Sequence, residues 1–257
     1  MFAVFKREFQ SFFRNPTGYV ALALFSVLSG FTFVMQLSSA EVNISSEIST
    51  LRSFFLILIP IITMGFFAED KKRGTEILYY TSPVSLWGVV IGKFLAALSL
   101  FGVMFINVFI HMFITGFLGG VVDIGSWGSV IVYFFLAALF ISIGILASSI
   151  VNDQLLAACF TFVIILLIQL TNTISSLATA ALVSLLAVSN NGASNDKLLN
   201  ICTKISDAIC WFDPFSKTTN FRSGIFSLTA LIFCLSATFV FLFLTYRNLE
   251  KKRWTQK

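Results

Sequence analysis

The chain has 257 residues, 57% of them apolar and 11% charged, with a formal net charge of +5 and a mean hydropathy of +0.92. Soluble globular chains carry about 25% charged residues, so an ordinary soluble domain is excluded. The 31 Phe and the aliphatic residues fall in blocks without period-2 alternation, which excludes the outer-membrane barrel pattern and leaves a helical bundle in lipid.

In chain order, residues 1–15 come first. At 100° per residue Phe2, Phe5, Phe9, Phe12 and Phe13 share one arc, with Arg7, Ser11 and Arg14 opposite. That pattern predicts an amphipathic helix lying in the membrane interface, broken by Pro16. A secretory signal peptide is the rival, with Ser38-Ser39-Ala40 as its small-residue cleavage site, but its apolar region would exceed the usual 7–15 residues.

Six blocks then have the roughly 20 apolar residues that a helix rising 1.5 Å per residue needs to cross about 30 Å of hydrocarbon. They lie near 17–37, 51–68, 89–113, 127–149, 155–173 and 224–246. The third and fourth are parted by a turn running from Gly119 through Gly125 and Ser126. Residues 69–86 form a short polar helical segment between spans two and three, starting near Gly74-Thr75-Glu76 and ending at Ser82-Pro83. Within 174–223, the apolar half up to Val188 predicts an interfacial or re-entrant helix, because a seventh span would put the basic C-terminus outside.

Lys6, Arg7, Arg14, Lys71, Lys72, Arg73, Lys93, Arg247, Lys251, Lys252, Arg253 and Lys257 all fall on one side of this arrangement. The fold class is therefore an all-α polytopic membrane protein of one domain, 1–257, with six transmembrane helices, an N-terminal interfacial helix and both termini cytoplasmic.

Chemistry-bearing motifs are sparse. Gly88-Val89-Val90-Ile91-Gly92-Lys93-Phe94 is one residue short of a phosphate loop and has Phe where the Mg²⁺-binding hydroxyl belongs, so it reads as glycine packing with Lys93 snorkelling to the cytoplasmic face. No catalytic, cofactor or metal site is expected. Asn107 and His111, four residues apart, share one face of span three, and Gln169 and Asn172 lie in span five. These are either a polar pathway or interhelical hydrogen bonding, with no intramembrane carboxylate to partner the histidine. Ser148 and Ser149 lack a histidine partner. Cys202 and Cys210 are expected outside, where they either pack or pair.

The order of elements resembles the ABC-2 type family of ABC-transporter permeases. Phe5-Lys6-Arg7-Glu8-Phe9 with Asn15-Pro16-Thr17-Gly18-Tyr19 is similar to the family's elbow helix and its entry into span one. Glu69-Asp70-Lys71-Lys72-Arg73-Gly74-Thr75-Glu76-Ile77-Leu78 through Thr81-Ser82-Pro83-Val84 resembles its coupling segment. The last span, ending in Thr245-Tyr246-Arg247 and Leu249-Glu250-Lys251-Lys252-Arg253, is similar to the gliding-motility-associated and copper-enzyme-maturation subgroup.

The resemblance implies an inner-membrane permease subunit of an ATP-driven exporter in a bacterial cytoplasmic membrane. It pairs with a second copy or a paralogue and with separate ABC ATP-binding subunits, which bind the ATP and Mg²⁺, and involves no nucleic acid. An accessory protein on the external side is a further expected partner. The ATPase-docking residues would be Arg73, Gly74, Thr75, Glu76, Ile77, Leu78, Tyr79, Tyr80 and Pro83, with Ile77, Leu78, Tyr79 and Tyr80 as apolar anchors. The bland alternative is that these aromatics line the membrane interface. An ATP-independent carrier using Asn107, His111 and Gln169, or a membrane scaffold, remains the competing functional class.

Overall fold

The structure, a computed structural model, describes residues 1–38, 42–77, 79, 85–120, 122–188, 213–215, 217 and 228–255. Its helices are α1 (Phe2–Arg14), α2 (Pro16–Ser38), α3 (Ile44–Thr63), α4 (Gly65–Lys72), α5 (Leu86–Phe117), α6 (Ile124–Ile150), α7 (Gln154–Val188) and α8 (Leu228–Thr255). Among the described residues six helical stretches are long and apolar enough to cross a membrane, α3 and α4 counting as the single stretch Ile44–Lys72. The chain thus adopts, among the described residues, the expected all-α architecture with six candidate spans.

Asn15 is extended, with φ −97° and ψ 149°, as the residue before a proline prefers, and Pro16 opens α2 where a missing N–H has no helical partner to lose. Gly18 permits the close corner that follows, because a Cβ there would lie 2.3 Å from the Phe12 carbonyl oxygen. Along α1 the rings of Phe5, Phe9 and Phe13 form a ladder with centroids 5.9 and 5.2 Å apart. Phe12 leaves that row and meets Phe66 edge-on at 5.7 Å. The helix packs on α5, where Gly92 faces Val4 and Gly88 faces Met1. The two glycines, one turn apart, are thus the seat of α1.

Asn43 starts α3 by accepting the Ser46 N–H on its side chain, about two turns earlier than hydropathy suggests. Where α3 gives way to α4, Pro60 has already removed one backbone donor. Ser148 of α6 repairs the junction, accepting the Phe67 and Ala68 N–H groups at 3.0 and 3.1 Å and donating to the Met64 carbonyl. Nearby a Cβ on Gly144 would lie 2.2 Å from Thr63 Oγ1, so the two backbones approach as small residues allow.

The core sits between α2, α3, α5 and α6, around Phe25, Phe55, Phe101 and Phe140. One face of α5 runs through Lys93, Ala97, Leu100, Met104, Val108 and His111, all buried. Lys93 and His111 are about five turns apart on that face, a separation of about 27 Å. α6 is the most enclosed span, whereas α2, α7 and α8 turn much apolar surface outward.

Two helices run well past the expected spans. α7 continues unbroken for 35 residues, about 52 Å, so residues 174–188 extend the fifth span's helix. The basic stretch after Tyr246 likewise continues α8 to Thr255. Cys202 and Cys210 lie outside the described residues.

Candidate functional site

At the end of the bundle where α1 meets α4 and α5, four charged side chains and one tyrosine converge. Lys93 of α5 is 1% exposed. Its Nζ lies 2.7 Å from Asp70 Oδ2 and 3.3 Å from Glu8 Oε1, donates to the Phe66 carbonyl, and stands 4.9 Å from the Phe67 ring centroid. Arg7 reaches Glu8 at 2.5 Å and donates to Tyr79 Oη at 3.1 Å. Tyr79 Oη in turn donates to Asp70 Oδ2 at 2.5 Å. Two cations and two carboxylates therefore balance, and each buried charge is both paired and hydrogen-bonded, the condition under which burial is tolerated. The expectation that Lys93 snorkels to the membrane surface is corrected: acids from α1 and α4 come to it.

This cluster fixes the segment that follows α4. Gly74, at φ +70°, ends the helix in a left-handed turn, with Thr75 N–H donating to the Asp70 carbonyl and Gly74 N–H to that of Lys71. These two bonds make a Schellman motif. Thr75 Oγ1 also donates to Asp70 Oδ1 at 3.2 Å, and Arg73 pairs back to Glu69 at 2.5 Å. Beyond the turn, Ile77 is 57% exposed while Tyr79 is buried. Burial pushes the Tyr79 phenol above its ordinary range, against the opposing pull of Lys93. Glu76 keeps one buried carboxylate oxygen without a hydrogen-bond partner. Of the nine segment residues singled out from sequence, Arg73, Gly74, Thr75, Glu76, Ile77 and Tyr79 are thus placed together; Leu78, Tyr80 and Pro83 lie outside the described residues.

A crevice of about 220 Å³ opens between α1 and α4, lined by Glu8, Ser11, Asn15, Phe66, Glu69 and Arg73 among others. On the far side of α4, Lys71 donates to the carbonyls of Ser149 and Val151 at the end of α6. The Ser149 carbonyl also accepts from Asn248 and Lys252 of α8, at 3.0 and 3.3 Å. Cations at a helix C-terminus meet its unsatisfied carbonyls and its negative dipole end. The segment is thereby mechanically joined to α1, α5, α6 and α8.

Among the described residues, the other polar side chains marked in the sequence, Asn107, His111 and Gln169, bond to different partners. Asn107 donates to Ser26 at 2.7 Å, and Gln169 to the Arg52 carbonyl at 3.5 Å. His111 is corrected: a carboxylate does partner it, Glu47 Oε1 at 2.6 Å from Nδ1, and that carboxylate is fully buried. A second span that starts near residue 51 leaves Glu47 in the loop before it. The signal that would have found it is Asn43 as helix cap, which sets Glu47 beside Ile44, Ile48 and Leu51 on one buried face. The Asn172 side chain lies outside what is described.

Among known proteins, the family model for ABC-2 family transporter proteins matches residues 2–254. No curated protein matches the sequence.

Proposed function

Because the chain belongs to the ABC-2 family of transporter proteins, and is therefore the membrane subunit of a transporter, we propose that it is the permease of an ATP-driven exporter. In this reading both termini are cytoplasmic, the membrane is the bacterial inner membrane, and two permease copies or paralogues form the path. Separate cytoplasmic ATP-binding subunits bind the ATP and Mg²⁺. The last span's sequence is what favours the gliding-motility-associated and copper-enzyme-maturation subgroup.

One observation carries the coupling part of this reading. Ile77 is an exposed apolar side chain on a segment whose two flanks are pinned, by the Schellman turn at Gly74 and by Tyr79 in the Lys93 cluster. A rod held that firmly can transmit a push. Movement of a partner seated on Ile77 would reach α1 through Arg7, α5 through Asp70 and Lys93, and α6 through Lys71. Within the docking set, Ile77 is then the contact and Tyr79 the internal anchor. Arg73, Gly74 and Thr75 shape the turn, and Leu78, Tyr80 and Pro83 belong to the docking set by their place in the sequence.

The test is extraction of the tagged complex from its native membranes in mild detergent. A soluble protein with a Walker A loop is expected to remain bound at stoichiometric level. Replacing Ile77 with Asp puts a charge into the apolar contact, and retention of that subunit is expected to fall at least tenfold, the scale of a hot-spot loss of about 2 kcal/mol or more. Reproducible absence of such a subunit from an otherwise intact wild-type complex overturns the ATP-driven reading, and unchanged retention by the variant overturns the docking role of Ile77.

A further inference from the structure

At the other end of the bundle three helices meet on one carboxylate. Glu47, in the first turns of α3, is fully buried. Its Oε1 lies 2.6 Å from His111 Nδ1 of α5 and accepts from Ser29 Oγ of α2 at 3.2 Å. Its Oε2 is buried without a hydrogen-bond partner. Phe33 of α2 stacks on the imidazole, centroids 4.2 Å apart and planes 9° from parallel. Ser29 also stands 3.5 Å from the same Nδ1. Serine and carboxylate address one ring nitrogen, so no Ser-His-acid relay, which uses both nitrogens, is built here.

We propose that Glu47 and His111 form a proton-binding site that clamps α2, α3 and α5 together while the proton is held. A nitrogen and an oxygen 2.6 Å apart share a hydrogen, so the ring carries one on Nδ1 whenever Oε1 is ionised. With a second proton on Nε2 the imidazolium neutralises the carboxylate. Losing that proton leaves a whole negative charge, one oxygen of it unpartnered, in a largely apolar interior, which is strongly unfavourable. The clamp is therefore tightest below the titration of the pair and loosens as pH rises through it. The positive end of the α3 dipole favours the carboxylate's charge in both states.

Among the described residues, α2, α6 and α7 carry no charged side chain between their ends, Asp123 stands at the N-cap position of α6 without a side-chain hydrogen bond to it, and Asp213 is buried. The other charged residue of α3, Arg52, lies over the Phe215 ring at 4.5 Å, and that of α5 is Lys93, at the opposite end. Ser45 of α3 faces Ser129 of α6, and Thr115 bonds the His111 carbonyl. One face of α5 is thus held at one end to α4 through Lys93 and at the other to α3 through His111. On the topology proposed above the histidine end faces outward, but the site stands without that reading.

His111 is the chain's single histidine, so the full-length protein labelled with ¹⁵N-histidine presents one imidazole to NMR. In nanodiscs of phosphatidylcholine and phosphatidylglycerol, the ring is expected to change protonation between pH 5 and 9, and the thermal midpoint to fall as pH rises through that change. Glu47→Gln is expected to weaken the ring's proton affinity about tenfold or more and to abolish the pH slope of the midpoint. A ring that keeps one protonation state across the range, a flat wild-type midpoint, or equal titrations in both proteins overturns the proposal. The wild-type measurements decide it if the variant does not fold.

Discussion

A lysine inside an apolar helix keeps its charge either by reaching water or by being met by acids, and Lys93 takes the second course. Its removal shows the difference. Lys93→Met is expected to destabilise the chain by about 1–3 kcal/mol, because Asp70, largely buried, would lose its cation while Glu8 keeps Arg7. Adding Asp70→Asn to that variant should restore part of the loss, since the pair is coupled. Chemical unfolding of the detergent-solubilised protein measures both, and a snorkelling lysine would give neither result. From sequence only the distance of Lys93 from its helix end is visible, and that distance fits snorkelling. Glu8 and Asp70 are remote in the chain, so their arrival is a property of packing. Glu47 and His111 are the same kind of case, except that Asn43 offered a local sign of where α3 begins.

At the scale of elements, glycine positions decide how closely helices lie. Gly92 and Gly88 read correctly as packing residues, but which helix they receive was not legible until α1 was seen on α5. A Cβ at Gly92 would already stand 3.1 Å from Val4. Gly92→Leu is therefore expected to lift α1 from its seat, costing about 1–3 kcal/mol as overpacking does. Limited trypsin digestion would register it as faster cleavage at Lys6 and Arg7. At Gly74 the constraint is conformational, because a side chain at φ +70° is strained whatever room surrounds it. Helix ends are a further lesson. Hydropathy ended the fifth span near Thr173, yet residues 154–188 contain neither Pro nor Gly, and nothing local stops the helix. Apolarity reports what lipid covers, and continuity of the backbone is a separate question.

Across the whole molecule, the end of α6 is a hub on which α4 and α8 both rest. Ser149 accepts from Asn248 through its carbonyl and its hydroxyl, each at 3.0 Å, and Lys252 and Lys71 donate to the same carbonyl. Asn248→Ala is expected to lower stability by about 1 kcal/mol, the net worth of a part-buried hydrogen bond with some desolvation loss. Combined with Lys252→Ala, it should also raise hydrogen exchange in the α4 amides, because the end of α6 on which α4 rests would lose its bonds to α8. Exchange confined to α8 would show that the hub does not carry strain between them.

The amino-acid sequence by itself determined the apolar solvent, six candidate crossings among the described residues, the amphipathic first helix and the family. Each of these is a sum over neighbouring residues: hydropathy within a block, periodicity within a helix, and the order of segments. The tertiary structure alone decided which charge meets which. It buried Lys93 between Asp70 and Glu8, turned Tyr79 inward while leaving Ile77 exposed, and brought Glu47 to His111. Those pairings join residues from 23 to 85 positions apart in number, and their energy depends on distances that only packed helices set. Local composition cannot encode a distance between helices, so the fold was legible in the chain and its electrostatic joints were not.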